Sequence, residues 1–220
     1  MLKNSLSLSL FGLCTFLCTC GPAQSDTVKG TAAVGSIRYQ EDLRFLEATI
    51  SIDPVANGKP QLNGQPFKPL PTAGAGHFRL RREANFPSTL TLDVPCGNRQ
   101  AINCPVIINL AIPFADSIPD VIDKTRTNRF AALPGGLLEH ENMLLFFEPE
   151  DRSTPRRILL QGPTSTGRVT LPKESIADVK PGEYQLYLVK QGLSKDSTAN
   201  LQHSIQTEYF TRSVAVTVRE

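Results

Sequence analysis

Apolar side chains recur at every second position through most of this chain, and that period leaves little but β-structure open to it. Leu90, Leu92 and Val94 alternate with polar neighbours, and Val106, Ile108, Leu110 and Ile112 recur at every second position further on. Near the C-terminus Val214, Val216 and Val218 share one face, with Thr217 and Arg219 on the other. Successive strand side chains point to opposite faces, so such a segment buries one face and wets the other. The pattern predicts strands over 28–37, 43–52, 77–83, 88–94 and 106–112, then 142–148, 156–161, 168–171, 183–190 and 208–219. Residues 143–147 and 158–160 are unbroken apolar runs, expected as central strands buried on both faces. Turn residues separate the segments: Asn57-Gly58, Asn63-Gly64, Pro134-Gly135-Gly136 and Pro181-Gly182. Helix is confined to single turns expected at 175–179 and 119–124, the latter with Pro119 in a first helical position. Many short strands with turns between them predict an all-β chain of antiparallel sandwiches.

Pro113 and Pro119 bracket a polar stretch, which divides the chain into two β-sandwich domains at 28–114 and 126–220, with a linker at 115–125. Each part is long enough for one small core; one large sandwich is the alternative. Of 220 residues, 23 are basic and 21 acidic, and 40% are hydrophobic. That balance excludes a disordered chain and a multi-span membrane protein, and it marks no nucleic-acid partner.

The first residues form an address. Lys3 precedes a short apolar run from Leu6 to Leu17, the pattern of a secretory signal and too short for a membrane span. Leu17-Cys18-Thr19-Cys20 resembles the lipobox of bacterial lipoproteins, with Leu17 three places before the cysteine. The resemblance implies a signal peptide at 1–19, lipidation of Cys20, a tether at 20–27 and a bilayer partner held through the N-terminal acyl anchor. Thr19 and Cys18 depart from the usual lipobox. Gly21 leaves no acidic residue after the cysteine, which by the same resemblance implies the outer membrane. Ordinary secretion with cleavage after Ala23 is the alternative.

Beyond the leader and Cys20, two cysteines remain, Cys96 and Cys104. They lie between two alternating segments, with Pro95, Gly97, Asn98, Asn103 and Pro105 expected in the connecting loop. A hairpin sets the two opposite each other, and an exported protein retains a disulfide there. A metal site needs ligands that are not nearby, and two free thiols are the remaining alternative.

Searches for chemistry return fragments. Gly162 and Gly167 have phosphate-loop spacing, but Arg168 and Val169 stand where lysine and a hydroxyl residue belong, so a turn between two strands is expected. Glu139-His140-Glu141 lacks the second histidine of a zinc protease, since position 144 is Leu, and reads as a solvated loop. His77, His140 and His203 are far apart, and Ser165 does not sit in a nucleophile elbow. Asp116, Asp120 and Asp123 lack calcium-loop spacing. Arg79, Arg81 and Arg82, and Arg152, Arg156 and Arg157, are expected on solvated strand faces. Catalytic residues, metal ligands and cofactors are therefore all expected to be none. There is no Trp, so sugar platforms would fall to Tyr39, Tyr187, Tyr209 and Phe210. The polar stretch from Gln191 to Gln206 is expected as a long loop, the place where such folds bind partners.

Residues 179–189, with Pro181-Gly182 followed by Tyr184, resemble the turn and penultimate strand of immunoglobulin-like and fibronectin-type modules. The resemblance covers about 126–220 and implies a tyrosine corner at Tyr184, with 212–219 as the last strand. As a whole the chain resembles the small two-module lipoproteins of Bacteroidota. The protein is expected to be non-enzymatic and lipid-anchored in the cell envelope, with a protein or glycan partner. A secreted glycan- or peptide-binding module using 191–206 is the alternative.

Overall fold

The structure, a computed structural model, describes residues 30–53, 58–85, 88–96, 102–151 and 154–220. The signal peptide, Cys20, the tether, residues 97–101 and Arg152 lie outside the described residues.

The chain is all-β. The first half contributes β1 (Thr31–Gln40), β2 (Phe45–Asp53), β3 (Gln61–Leu62), β4 (Gln65–Pro66), β5 (Lys68–Pro69), β6 (His77–Glu83), β7 (Thr89–Cys96) and β8 (Ile102–Asn109). The second half contributes β9 (Val121–Asp123), β10 (Asn128–Ala131), β11 (Glu141–Pro149), β12 (Arg156–Gln161), β13 (Arg168–Leu171), β14 (Gly182–Ser197), β15 (Leu201–Phe210) and β16 (Val214–Arg219). Single 3₁₀ turns at Pro71–Ala73, Ala115–Ser117 and Lys173–Ile176 are the only helical elements among the described residues.

The apolar pattern predicts β6, β12 and β13 to the residue, β6 and β13 by alternation and β12 by its short apolar run. It misses the short strands, which carry too few residues to show a period. Asn63-Gly64 is the β3–β4 turn, with φ of 49° and 74°. The expected helical turn at 119–124 is instead β9, a parallel partner of β16 through Val121↔Thr217 and Ile122↔Val218. Its β-branched side chains favour that extended state.

One open ten-stranded sheet runs β12-β11-β14-β15-β1-β2-β6-β5, with β16 also on β14 and β9 on β16. An open four-stranded sheet, β4-β3-β7-β8, and the pair β10-β13 complete the fold. Strand β12 is an edge, and Leu159 on it is 50% exposed, so 158–160 is not a central strand.

The long strand β14 organises the molecule. One of its sides pairs β11; the other pairs β16 along its first part and β15 along its second. The sequence suggests a single strand over 208–219, but a β-bulge at Arg212 and Ser213 divides it. Between the pairs Leu188–Thr211 and Leu186↔Val214, one residue of β14 faces two of its partner. The extra residue switches side-chain parity. Leu201, Ile205 and Tyr209 and then Val216 and Val218 are consequently all buried. The Thr211 hydroxyl accepts from Leu188 N at 2.9 Å, and the Arg212 and Ser213 amides donate to Glu41 and Asp42 of the β1–β2 turn at 3.0 and 3.2 Å.

Two apolar cores result. The first gathers β1, β2, β6, β7 and β8 side chains and, from the far end of the sequence, Leu201, Ile205 and Tyr209. Strand β15 reaches it by pairing β1 in parallel, Thr31↔Leu201 through Gln40↔Phe210. The second core gathers residues between Ile118 and Val218, including Met143, Leu145, Phe147, Leu186 and Leu188. Residues 201–210 thus pack with the first half, across the division suggested by the linker prolines.

The other face of the large sheet is polar. In one rank, Asn142, Gln191, Glu208, Arg38, Glu47 and Arg81 stand on successive strands. Gln191 donates to Glu208 at 3.0 Å, Arg38 pairs with Glu208 at 2.6 Å, and Arg79 and Arg81 both pair with Glu47. Interleaved opposite charges make this a solvated face.

Candidate functional site

Where the two cores meet, β14 passes from one to the other, and Lys190 stands at the crossing. Its register puts Lys190 beside Tyr209 of the first core, on the same side of the strand as Leu188 of the second. Its side chain is 3% exposed. The ammonium donates to Glu141 Oε1 at 2.6 Å and to the carbonyl of Ala111 at 3.0 Å. Glu141 Oε2 accepts the Leu138 amide at 2.9 Å. The pair ties three segments together: β14, the start of β11 and the chain leaving β8. Gly192 makes room for it, because a Cβ there would lie 2.8 Å from Thr207 Oγ1 and reach the Glu141 side chain. Glu141 is thus a buried ion-pair partner, not part of a solvated loop. Its neighbours Glu139 and His140 are exposed. Residue type alone does not distinguish Glu141 from Glu139; only Gly192 and Lys190, about fifty residues away, do.

A cleft of about 430 Å³ opens beside this ion pair. It lies between the end of β8, the 138–141 segment and β14 at Gly192, Leu193 and Ser194. Three large apolar side chains line it while remaining open to solvent: Ile107 at 62%, Leu138 at 66% and Leu193 at 40% exposure. Such a grouping is unusual, because exposed apolar side chains on a soluble surface are mostly scattered singly.

The segment from Gln191 to Gln206 is not a loop. Strand β14 continues to Ser197 and β15 begins at Leu201, so the stretch is a hairpin with its turn at 198–200. Gln191↔Glu208 to Ser197↔Gln202 is an unbroken register. Its polar composition reflects a strand pair with one solvated face. On the other face, Ser194 Oγ lies 3.2 Å from His203 Nε2, with Asp196 opposite His203. Burial holds the His203 imidazole below its ordinary pKa, against the opposing pull of Asp196. Asp196 Oδ1 accepts the Ser197 amide at 2.7 Å and makes no hydrogen bond to His203, so the third arm of a serine triad is not in place.

The other expected residues go to separate places. Cys96 and Cys104 are positioned as a disulfide with Cα atoms 5.9 Å apart. They are diagonal rather than opposite: Val94 faces Cys104 and Cys96 faces Ile102. Pro95 and Pro105 lie within β7 and β8, not in the loop. Strand β8 is an edge, and β3 pairs β7 only at Leu92 and Asp93, so neither proline removes a ladder bond. Gly167 does not close a hairpin, since β12 and β13 lie in different sheets. It permits close approach instead: a Cβ would overlap the Leu133 carbonyl, whose amide donates to Gly167 O at 3.3 Å. Asp116 pairs with Arg212, and Asp123 with Arg126 at 3.2 Å. Two hydrogen bonds from Thr125 hold the Asp123 carboxyl below its usual range.

Tyr184 donates to the Lys180 carbonyl at 2.8 Å, the bond expected of a tyrosine corner, and burial raises its phenol pKa. Its strand is not penultimate, because β15 intervenes before β16. Tyr39 and Tyr209 are buried and stacked at 5.4 Å, so they form no sugar platform. Tyr187 stacks on Phe146 at 4.9 Å, and burial together with its bond to Glu148 pushes its phenol up to about 12. No protein-family model matches the chain, and no curated protein shows significant similarity to it.

Proposed function

We propose that this protein is a non-enzymatic, lipid-anchored envelope protein whose two cores form immunoglobulin-like β-sandwich modules and which works by contact with another protein. The observation that carries this reading is the cleft at the core junction, where Ile107, Leu138 and Leu193 stay exposed around one concavity. The leader and the lipobox-like Cys20 support the anchor. Two or three acyl chains hold a protein stably to a bilayer, each buried methylene adding about 0.8 kcal/mol. The described chain begins beside the β14–β15 tip, where the Thr31 amide donates to Asn200 O at 2.9 Å. Residues 20–29 would reach at most about 35 Å from that tip to the bilayer. A protein partner fits better than a glycan, because two of the four candidate aromatic platforms are buried.

The intact mass of the protein from native membranes tests the anchor, measured before and after reduction. A mass that begins at Cys20 and carries acyl chains is expected, with a gain of two hydrogens on reduction for the Cys96–Cys104 bond. A mass that begins at Gln24 would overturn the anchor. A photo-crosslinking residue at Leu138 tests the contact. A discrete envelope protein joined at that position is expected; cross-links no different from those of a residue on the polar sheet face, such as Thr49, would overturn it.

A further inference from the structure

Two strand edges border the cleft, and their unpaired backbone groups say what shape of ligand it takes. Strand β11 ends at Glu141, opposite Gly192, whereas β14 continues to Ser197. Beyond Gly192 no described strand pairs the β11 side of β14. The hydrogen-bond phase is fixed by Thr211 N to Leu188 O and Thr198 N to Leu201 O, which turn the even-numbered groups of β14 toward β15. The N–H and C=O groups of Leu193 and Lys195 therefore face outward. Across the cleft, β8 is the edge of its own sheet. There Leu110 N donates to Ser88 O, so the groups of Ile107 and Asn109 face away from β7.

From this geometry we infer that the junction cleft binds an extended segment of a partner protein, which adds as a strand to β14 at Leu193 and Lys195 in line with β11. The inference deepens the contact reading above and rests on it. Free main-chain donors and acceptors favour a strand over a helix or an acyl chain, neither of which can satisfy them. The exposed Leu193, Leu138 and Ile107 side chains call for apolar residues at alternate guest positions. Lys195 is exposed and forms no ion pair among the described residues, so the guest residue opposite it is acidic, as in a cross-strand charge pair. In the unoccupied protein the same lysine discourages edge-to-edge aggregation, because a second copy paired in register at that position would set lysine against lysine.

The test uses the full mature protein and a synthetic peptide of about ten residues alternating valine and threonine with one glutamate, long enough to span the free edge. Its twin is N-methylated at alternate backbone positions. Binding of the first peptide is expected to protect the Leu193 and Lys195 amides from exchange. The N-methylated twin should bind about tenfold more weakly or worse, the loss of one or more net hydrogen bonds. Lys195→Pro removes one outward N–H without touching the bonds to β15 and should weaken the first peptide similarly. Lys195→Glu should reverse the preference between peptides carrying glutamate and lysine. Equal binding of the two peptides, protection elsewhere, or no binding of either would overturn strand addition. A cross-link from Leu138 that persists undiminished in Lys195→Pro would keep the contact reading and overturn strand addition alone. A homodimer that Lys195→Pro dissolves would assign the edge to a second copy and overturn a foreign partner.

Discussion

The two cores are the same size and are closed in different ways. Each gathers nineteen buried residues among those described. The first is covered by a four-stranded sheet whose hairpin carries the Cys96–Cys104 pair, and it borrows β15 from the far end of the chain. Among the described residues the second is covered by the β10–β13 pair and by turns, and it draws on β9, β11, β12, β14 and β16 and on the Tyr184 bond to Lys180, with no strand from the first half. Equal apolar content thus does not imply equal construction. The first core depends on a covalent staple and the pairing of β1 with β15, the second on the pairing of β9 with β16 and on strands closer in sequence. Between them stands one buried ion pair, and the open cleft lies beside it.

The largest test of this contrast is at the junction. Lys190→Met should strand the Glu141 carboxylate and cost about 3–5 kcal/mol, felt by both cores as lost amide protection in β2 and in β11 alike. The double change Lys190→Met with Glu141→Leu should recover much of that loss in chemical denaturation. If the single change loosened one core alone, the ion pair would belong to that core and not to the junction. Next in size, Cys96→Ala with Cys104→Ala should cost about 2–3 kcal/mol on the chain-entropy account of so short a loop. Exchange should quicken in β7 and β8 while β11 and β14 near Leu186 keep their protection. Tyr184→Phe should show the opposite distribution at about 1 kcal/mol, by removing one buried hydrogen bond and orphaning the Lys180 carbonyl.

The smallest expected effect is a pH dependence confined to the β14–β15 hairpin. Burial holds the folded pKa of His203 below its ordinary 6.5. The unfolded chain therefore takes up its proton first as pH falls, and the stability this group contributes declines from about 6.5 downward. His203→Gln should flatten that slope in urea midpoints measured across mildly acidic pH. An unchanged slope would assign the acid sensitivity to other groups.

Much of the fold was legible because alternation is a local property. The strands at His77–Glu83 and Arg168–Leu171 follow from two-residue periods, and that at Arg156–Gln161 from a short apolar run. The inward face of Val216 and Val218 also follows from a two-residue period, whereas the Tyr184 bond is implied only by the resemblance of residues 179–189 to immunoglobulin-like modules. The stretch from Gln191 to Gln206 misled because Gly192, Ser194, Lys195, Asp196 and Ser197 are poor strand formers by type. They are held in a strand by pairing with β15, which is itself paired to β1. The site was less legible than the fold. Glu141 looked no different from Glu139 until Lys190 and Gly192 were brought against it. The exposed Ile107, Leu138 and Leu193 are ordinary apolar residues in three unrelated stretches.

By itself, then, the sequence determined that this protein is all-β, where most strands run, which face of each is apolar, and that its N-terminus carries an export-like pattern. The tertiary structure decided which strands are neighbours, that β15 crosses to the first core, that a lysine and a glutamate are buried together, and that a cleft with two free strand edges lies beside them. The physical reason is that a period-two pattern records which side of a strand seeks the core, and that choice is made residue by residue along the chain. Pairing partners, the bulge at Arg212 and Ser213, and the burial of a charge depend on groups tens to hundreds of residues apart, which come together only when the whole sheet is assembled.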